Sequence, residues 1–538
     1  MSEDKLAKHH MQRCDKLVAD RAPFDRDWRD IQDLVRPVTV AFDPASGAYT
    51  HVRTEAMFDG TAPDALMELA SALHSFVTNP AERWFEVQLE GVSDDELSDE
   101  EADWLEEVSN VIYAQYRRSG SNLNGALHEG YLDVGSFGNS IICQEWDSTD
   151  AGIVFSCKPL AQCFFLENNQ GRVDTLYRRM TWTIRQVKQE FGELLPPKLM
   201  EIVAKGDDKP VDIIQCVYPR TDTRPGITPG RMKFGSLWIC VNTKEILRES
   251  GYESFPYHVA RWLKLSGEAY GRGPAKQCLA DIKMLNVMER TILKAGQKEV
   301  DPPLILANEA FLLPIKTSPG SLIFKENEES TITPLLPPGS RNLPWGEDKA
   351  EQKRGFIRKC FHSDWIRREK KPSIEQTAAE IYDDRDEMLR LFAPILGRLV
   401  TEQHGPMITR SYGLLNSRGR IPPAPASMTG RNLTVGYLSP ASRAQTGTRA
   451  NQISRFVQDL IPMAQVEPGI MDHIDFDQVA VELAKARGTP RAILRSPAEV
   501  EERRGARKMQ EAAMAAAQVA EPASKAALNL AKAQEAGA

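Results

Sequence analysis

The stretch GEAYGRGPAKQCLADIKMLN, residues 267–286, passes from a glycine-rich turn into a helical pattern, the outline that a phosphate-binding loop also has. A phosphate cradle needs free backbone N–H groups at the helix start, usually followed by Lys and then Ser or Thr. Here Gly271 and Gly273 lead into Pro274, which suits the first helical position but removes a donor. The preceding YHVARWLKLS carries Arg261 and Lys264, so it does not read as the buried parallel strand that such a loop would follow. A plain helix start is expected. Other chemistry is equally thin. GSFGNS, residues 135–140, lacks the Gly-x-Ser-x-Gly spacing of a nucleophile elbow and reads as a tight turn. None of the nine histidines forms an HExxH pair, and His9-His10 lies in a polar terminus, so no metal ion is expected. Asp383, Asp384, Asp386 and Glu387 fan around a helix instead of converging, which makes them a solvated face. The basic run Arg367, Arg368, Lys370 and Lys371 fits a solvated loop or a DNA-facing one equally well. No catalytic constellation and no cofactor site remains.

Composition sets the outer bounds. A chain of 538 residues that is 41% hydrophobic has material for several cores, with a soft expectation of three or four domains. The opening MSEDKLAKHH is charged, and no apolar run approaches the ~18 residues that cross a bilayer, so neither secretion nor membrane insertion is signalled. The eight cysteines are scattered, Cys157 and Cys163 being the closest pair, and none has CxxC spacing; buried thiols in a reducing compartment are expected. A formal charge of -8 argues against tight gripping of nucleic acid, which requires neutralised phosphates, and leaves loose sliding contact open.

Periodicity divides the chain into blocks. Phe24, Trp28, Ile31, Leu34 and Val35 recur at helical spacing before Pro37, and Leu66, Leu69, Leu73, Phe76 and Val77 do so before Asn79-Pro80. Ser98 and Glu101 form a capping box ahead of Leu105, Val108, Ile112 and Tyr116. Strand-like alternation runs from about 138 to 182 and again near 211 to 248, interrupted by a short helix, IRQVKQEFG. Helices and strands in blocks make an α+β fold, mostly helical. From Pro274 a long helix carries Leu279, Ile282, Leu285, Met288 and Ile292 on one side. A proline-rich, β-prone excursion over 301–345 follows, then a helix from about Glu347 to Arg368. After the basic loop, Ser373 and Gln376 cap a helical pattern reaching about residue 412, in which Pro394 should produce a kink near 390–394. Ser439-Pro440, Thr489-Pro490 and Ser496-Pro497 suggest three further helix starts, and the alanine-rich end has no evident face to pack.

In this order, FDGTAPDALMELASALHSFVTNPAERWFEV (58–87), VYPR (217–220), SGYESFPYHVARW (250–262), GEAYGRGPAKQCLADIKMLN (267–286) and VDPPL (300–304) make the chain resemble the portal, or head-to-tail connector, proteins of short-tailed, T7-like bacteriophages. The resemblance implies a portal-type fold: a wing over 1–271, a first stem helix over 272–299, a β-rich clip over 300–346, a second stem helix over 347–366, a channel loop at 367–372, a kinked tunnel helix returning to the wing over 373–435, crown helices over 436–510, and an exposed or disordered tail over 511–538. It also implies a dodecameric homo-oligomer at one capsid vertex, assembled in the host cytoplasm, through which double-stranded DNA passes without sequence reading. The implied partners are the terminase motor, a tail adaptor, the major capsid and scaffolding proteins, and internal core proteins. Arg367, Arg368, Lys370 and Lys371 would then face the channel. A long helix with a narrow apolar stripe is poorly stabilised alone, so the stripe from Leu279 to Ile292 is expected to be buried against neighbouring subunits. The competing expectations are a capsid or tail scaffold protein without a channel, and a packaging nuclease or ATPase, for which no motif is present.

Overall fold

The computed structural model describes residues 3–37, 57–92, 97–192, 195–197, 199–200, 210–220, 232–300, 304–305, 333–334, 343–363, 392–428, 430–437, 452–460, 474–486 and 499–512, with isolated positions 462, 469 and 495. The chain divides into two compact units, Met1–Ser439 and Pro440–Ala538. The first is mixed helix and strand.

Helix α1, Glu3–Val35, is longer than the periodicity suggests and takes in the charged terminus. Leu6, Ala7, Cys14 and Leu17 pack into a core with Phe164, Tyr177, Ile214, Cys216, Leu237 and Ile239. The terminus looks polar in sequence because two positions of its buried stripe, 6-10-14-17-21, are His10 and Arg21. Both are satisfied there. His10 Nδ1 lies 2.9 Å from the Tyr177 hydroxyl, and Arg21 donates to the carbonyls of Leu160, Cys163 and Ala161 at 2.8, 2.8 and 2.9 Å. His9-His10 is therefore part of a packed helix, contrary to the reading of a solvated end.

Helices α2 (Thr61–Val77), α3 (Asp99–Arg117) and α4 (Leu123–Phe137) bury their apolar faces in the main core. The capping box of Ser98 and Glu101 forms as its spacing requires. Strand β1 (Phe85–Leu89) pairs with residues 433–437, so the extended piece after Trp84 finds its partner some 350 positions away along the numbering. Strands β2 (Asn139–Asp147) and β3 (Gly152–Cys157) form a hairpin. Strands β4 (Cys163–Glu167), β5 (Val173–Trp182), β6 (Val211–Pro219), β7 (Phe234–Cys240) and β8 (Glu245–Tyr252) make one antiparallel sheet in sequence order. The short helix α5, Ile184–Phe191, covers part of that sheet with its own capping box of Thr183 and Gln186.

Strand β9, Tyr257–Arg261, is antiparallel to β2 and buried along its whole length. The strand is not the buried parallel one that a phosphate loop would follow; it is antiparallel, with Arg261 at its end and Lys264 beyond it. Arg261, 2% exposed, is surrounded by acceptors: Glu402 at 2.9 and 2.7 Å, Glu167, and the carbonyls of Ala269 and Gly171. The register of the β4/β5 ladder shifts between Leu166 and Glu167, and such a bulge re-aims a side chain. Here it presents Glu167 to both Arg261 and Lys264.

In the second unit, Asp475 Oδ1 accepts from the N–H groups of Asp477 and Gln478 and so caps a helix over Phe476–Ala486. Arg504, in a helix over 499–512, pairs with Asp477 at 2.6 Å. The three proposed Ser-Pro and Thr-Pro helix starts lie outside the described residues.

Candidate functional site: a helical hairpin and the helix beyond it

The glycines of the opening stretch serve backbone packing. Gly138, the left-handed cap of α4 at φ 82°, abuts the GRGP turn so closely that a Cβ on it would lie 2.4 Å from the Gly273 nitrogen. A Cβ on Gly271 would lie 2.6 Å from the Gly138 carbonyl oxygen. The Asn139 side chain seals the crossing: its Oδ1 accepts the Gly271 N–H at 2.7 Å, and its Nδ2 donates to the Gly271 carbonyl at 3.1 Å. The amide that a phosphate would seek is already occupied. Gly273 caps a helical turn, Pro274–Gln277, with Pro274 at its first position, and Lys276 is paired with Asp27.

The expected single helix from Pro274 is broken at Cys278 (φ -104°, ψ 12°) and restarts as α6, Leu279–Val300. Its partner α7 spans Leu343–Cys360; the chain then turns through Phe361 and His362, the latter at φ 56°. This helix therefore begins earlier and ends sooner than the Glu347-to-Arg368 reading. The two helices are antiparallel: Lys353 bonds Asp281 at 2.6 Å, Arg354 bonds Glu289 at 2.5 Å, and Gly346 lies opposite Ile292. Within the β excursion between them, the described residues form one antiparallel pair, β10 (Leu304–Ile305) with β11 (Thr333–Pro334).

Arg354 also reaches Asp59 at 2.9 Å, tying the hairpin to the segment before α2. Burial alone would raise the Asp59 pKa, but hydrogen bonds from Thr61 and Arg354 hold it below the usual carboxylate value. Lys283 pairs with Asp30 of α1, and Asn286 accepts the Phe58 N–H at 2.7 Å.

These contacts overturn the expectation for the apolar stripe. Leu279, Ile282 and Leu285 are buried in the protomer's own core, and Met288 and Ile292 are half-buried against it. The stripe is covered within the subunit by α7 and the helices beneath. A second stripe is left open on the opposite face of α6: Ala280, Met284, Val287, Thr291, Lys294 and Lys298 are all exposed, Met284 by 50% and Val287 by 63%. Their spacing of four, three, four, three and four residues keeps them on one face over about five turns. The spacing was readable in sequence; which of the two stripes the protomer itself covers was not.

Beyond the hairpin, Arg367, Arg368, Lys370, Lys371 and the acidic cluster Asp383, Asp384, Asp386 and Glu387 lie outside the described residues. Helix resumes over residues 392–399, so the segment in which Pro394 was expected to cause a kink is only partly described. The irregularity within the described part falls later. Val400–His404 form a π turn, closed by the Gly405 N–H on the Val400 carbonyl, before α8, Gly405–Asn416. Pro406 is the physical cause: it lacks an N–H and its ring would press on the carbonyl of Glu402, and widening the turn relieves both. Arg261 holds the Glu402 carboxylate of this turn with two hydrogen bonds.

Helix α8 is bound to the body through a buried polar network. Ser411 accepts from Gln144 and shares a hydrogen bond with Tyr116, each at 2.8 Å, and Gln144 also contacts His258 at 2.8 Å. Burial pushes the His258 and His404 pKa values down to about 3, so both rings are neutral at physiological pH. The segment expected to be loop, 416–431, is turn and short 3-10 structure, and then β12, Leu433–Tyr437, closes the ladder with β1.

Residues 7–494 match the family model described as "Bacteriophage head to tail connecting protein". The chain is 28% identical over 504 residues to the "Probable portal protein" of Bordetella phage BPP-1, covering 91% of this chain and 88% of that protein. It is 23% identical over 492 residues to the "Portal protein" of Salmonella phage epsilon15, covering 89% of this chain and 87% of that one.

Proposed function

The chain belongs to the bacteriophage head-to-tail connecting protein family, a structural component of the phage particle and not an enzyme, and from that premise we propose that it closes into a dodecameric portal ring at one capsid vertex. In this reading α6 and α7 are the stem and the excursion between them is the clip. The loop at 367–372 faces the channel, the helix after it runs along the tunnel, the second unit contributes the crown, and most of residues 1–271 form the wing. DNA passes in during packaging and out during ejection. The motor docks first and the tail adaptor later, with capsid, scaffolding and internal core proteins around the ring, all assembled in the host cytoplasm.

The observation that carries the reading is the open stripe of α6. Its own hairpin partner covers the opposite face, and within the first unit Met284 and Val287 remain 50% and 63% exposed. Burying Val and Met side chains is worth roughly 1.5–3 kcal/mol each, and a heterologous contact repeated by rotation recovers that at every subunit and closes without a free end. The net charge of -8 per chain suits a conduit that does not trap phosphates, with a few basic loop residues making transient backbone contacts. End-on imaging of the purified assembly tests this. A twelve-fold ring with a pore of about 20 Å or more, wide enough for a duplex, is expected. A helical or pore-less assembly would contradict it.

A further inference from the structure

The α6/α7 hairpin has a chemical feature at the end where it joins the body. Cys278 is the break residue before α6 and is fully buried, whereas Cys360 is the last residue of α7 and is partly exposed. Gly346 lies opposite Ile292 in the helical seam. From that contact, Cys278 and Cys360 are displaced by the same fourteen residues along two antiparallel segments, which brings both to the same level at the base of the hairpin. The turn before α6 touches α7, as this register requires. Of the other cysteines, Cys14 and Cys216 share the core under α1, and Cys143 and Cys157 lie on the paired strands β2 and β3.

We propose that Cys278 and Cys360 are an oxidisable pair, a modification site at which a low-molecular-weight disulfide closes a covalent staple across the base of the hairpin. The roles of the two sulfurs differ. Cys360 is the more accessible one, and the neighbouring Cys278 sulfur lowers its pKa, so it carries the thiolate that attacks first. Cys278 donates its S–H to the Pro274 carbonyl at 3.4 Å and is raised by the neighbouring Cys360 and by burial, so it keeps its proton until the second step. The Cys360 thiolate attacks one sulfur of oxidised glutathione, expelling glutathione thiolate and leaving a mixed disulfide. Cys278 then loses its proton and attacks Cys360 Sγ, expelling the second glutathione. Two thiols become one disulfide, and the oxidant is reduced to two thiols. In a reducing compartment the pair stays open; an oxidising one locks α6 to α7.

The test uses the full wild-type chain treated with oxidised glutathione, followed by non-reducing peptide mapping. The expected result is a linked peptide pair containing Cys278 and Cys360, an intact mass lower by about 2 Da, and no retained glutathione. In the C278S variant, glutathione should instead remain attached to Cys360, because the resolving sulfur is missing. A wild-type chain that keeps all eight thiols, or retains glutathione on Cys360, or crosslinks Cys360 to any other cysteine, would overturn the proposal. So would a C278S chain that still forms an internal disulfide at Cys360. These readouts require only the folded subunit, so failure here is distinguishable from failure to form a ring.

Discussion

At the residue scale, the buried ionisable groups set how this protein responds to solvent. His258 and His404 have pKa values near 3 in the folded chain, against 6.5 for a free ring. Each ring therefore binds its proton on unfolding throughout the interval between those values, so stability is full above about pH 6.5 and declines as pH falls towards 3. The slope is up to about 1.4 kcal/mol per pH unit for each ring. H404Q should remove one ring's share of that slope between pH 6.5 and 5, as read by urea unfolding at fixed assembly state; an unchanged slope would count against a neutral buried His404. Arg261 poses the opposite problem, a buried cation held by Glu167 and Glu402. R261M leaves the partly buried Glu402 carboxylate without its partner and Glu167 with Lys264 alone, and should cost about 3 kcal/mol or more. The urea midpoint measures it. Residues of this kind were the least legible in sequence. The local capping box at Ser98 and Glu101 was readable because both partners lie within one turn. The burial of Arg21, His10 and Arg261 has no such local signal, because the groups that satisfy them come largely from distant segments.

At the scale of elements, α6 has two helical stripes with separate roles, and substitutions on each should behave differently. L285A, at a position 1% exposed, removes buried volume from the protomer and should lower its stability by about 2–5 kcal/mol. V287D, on the open stripe, should change protomer stability by no more than about 0.5 kcal/mol while abolishing self-association. Circular dichroism melts together with size-exclusion chromatography separate the two effects, and a V287D chain that assembles normally would remove the stripe from the interface. The helical character of α2, α3 and α6 was legible because their apolar spacing is regular. Strand character over 138–182 and 211–248 was legible from alternation, whereas the grouping of β4–β8 into one sheet was not. The β1/β12 ladder was not legible, since neither strand indicates a partner so far along the chain, and the π turn was not, since a proline such as Pro406 signals a disturbed helix without fixing whether it kinks or widens. The glycines of GRGP could be separated from a phosphate loop by what is missing around them, but their actual reason, contact with Gly138, needs the fold.

At the scale of the whole molecule, the account joins an exposed seam to a family of connectors. If the loop at 367–371 faces a channel, replacing Arg367, Arg368, Lys370 and Lys371 with Gln should leave ring formation intact and alter DNA packaging or retention, since those residues would touch phosphates and not other subunits. Unchanged packaging by such rings would place the loop elsewhere. Membership of the family was readable from the order of several weak segments spread along the chain, none specific by itself. The resemblance did not identify which helix face is left for a neighbour, because that depends on how α7 lies against α6. Sedimentation velocity of the purified wild-type chain across a range of concentrations addresses this directly. The account predicts a discrete closed species many times the 60.2 kDa of one chain. A well-folded solitary subunit that persists at high concentration, with no tendency to associate, would contradict it.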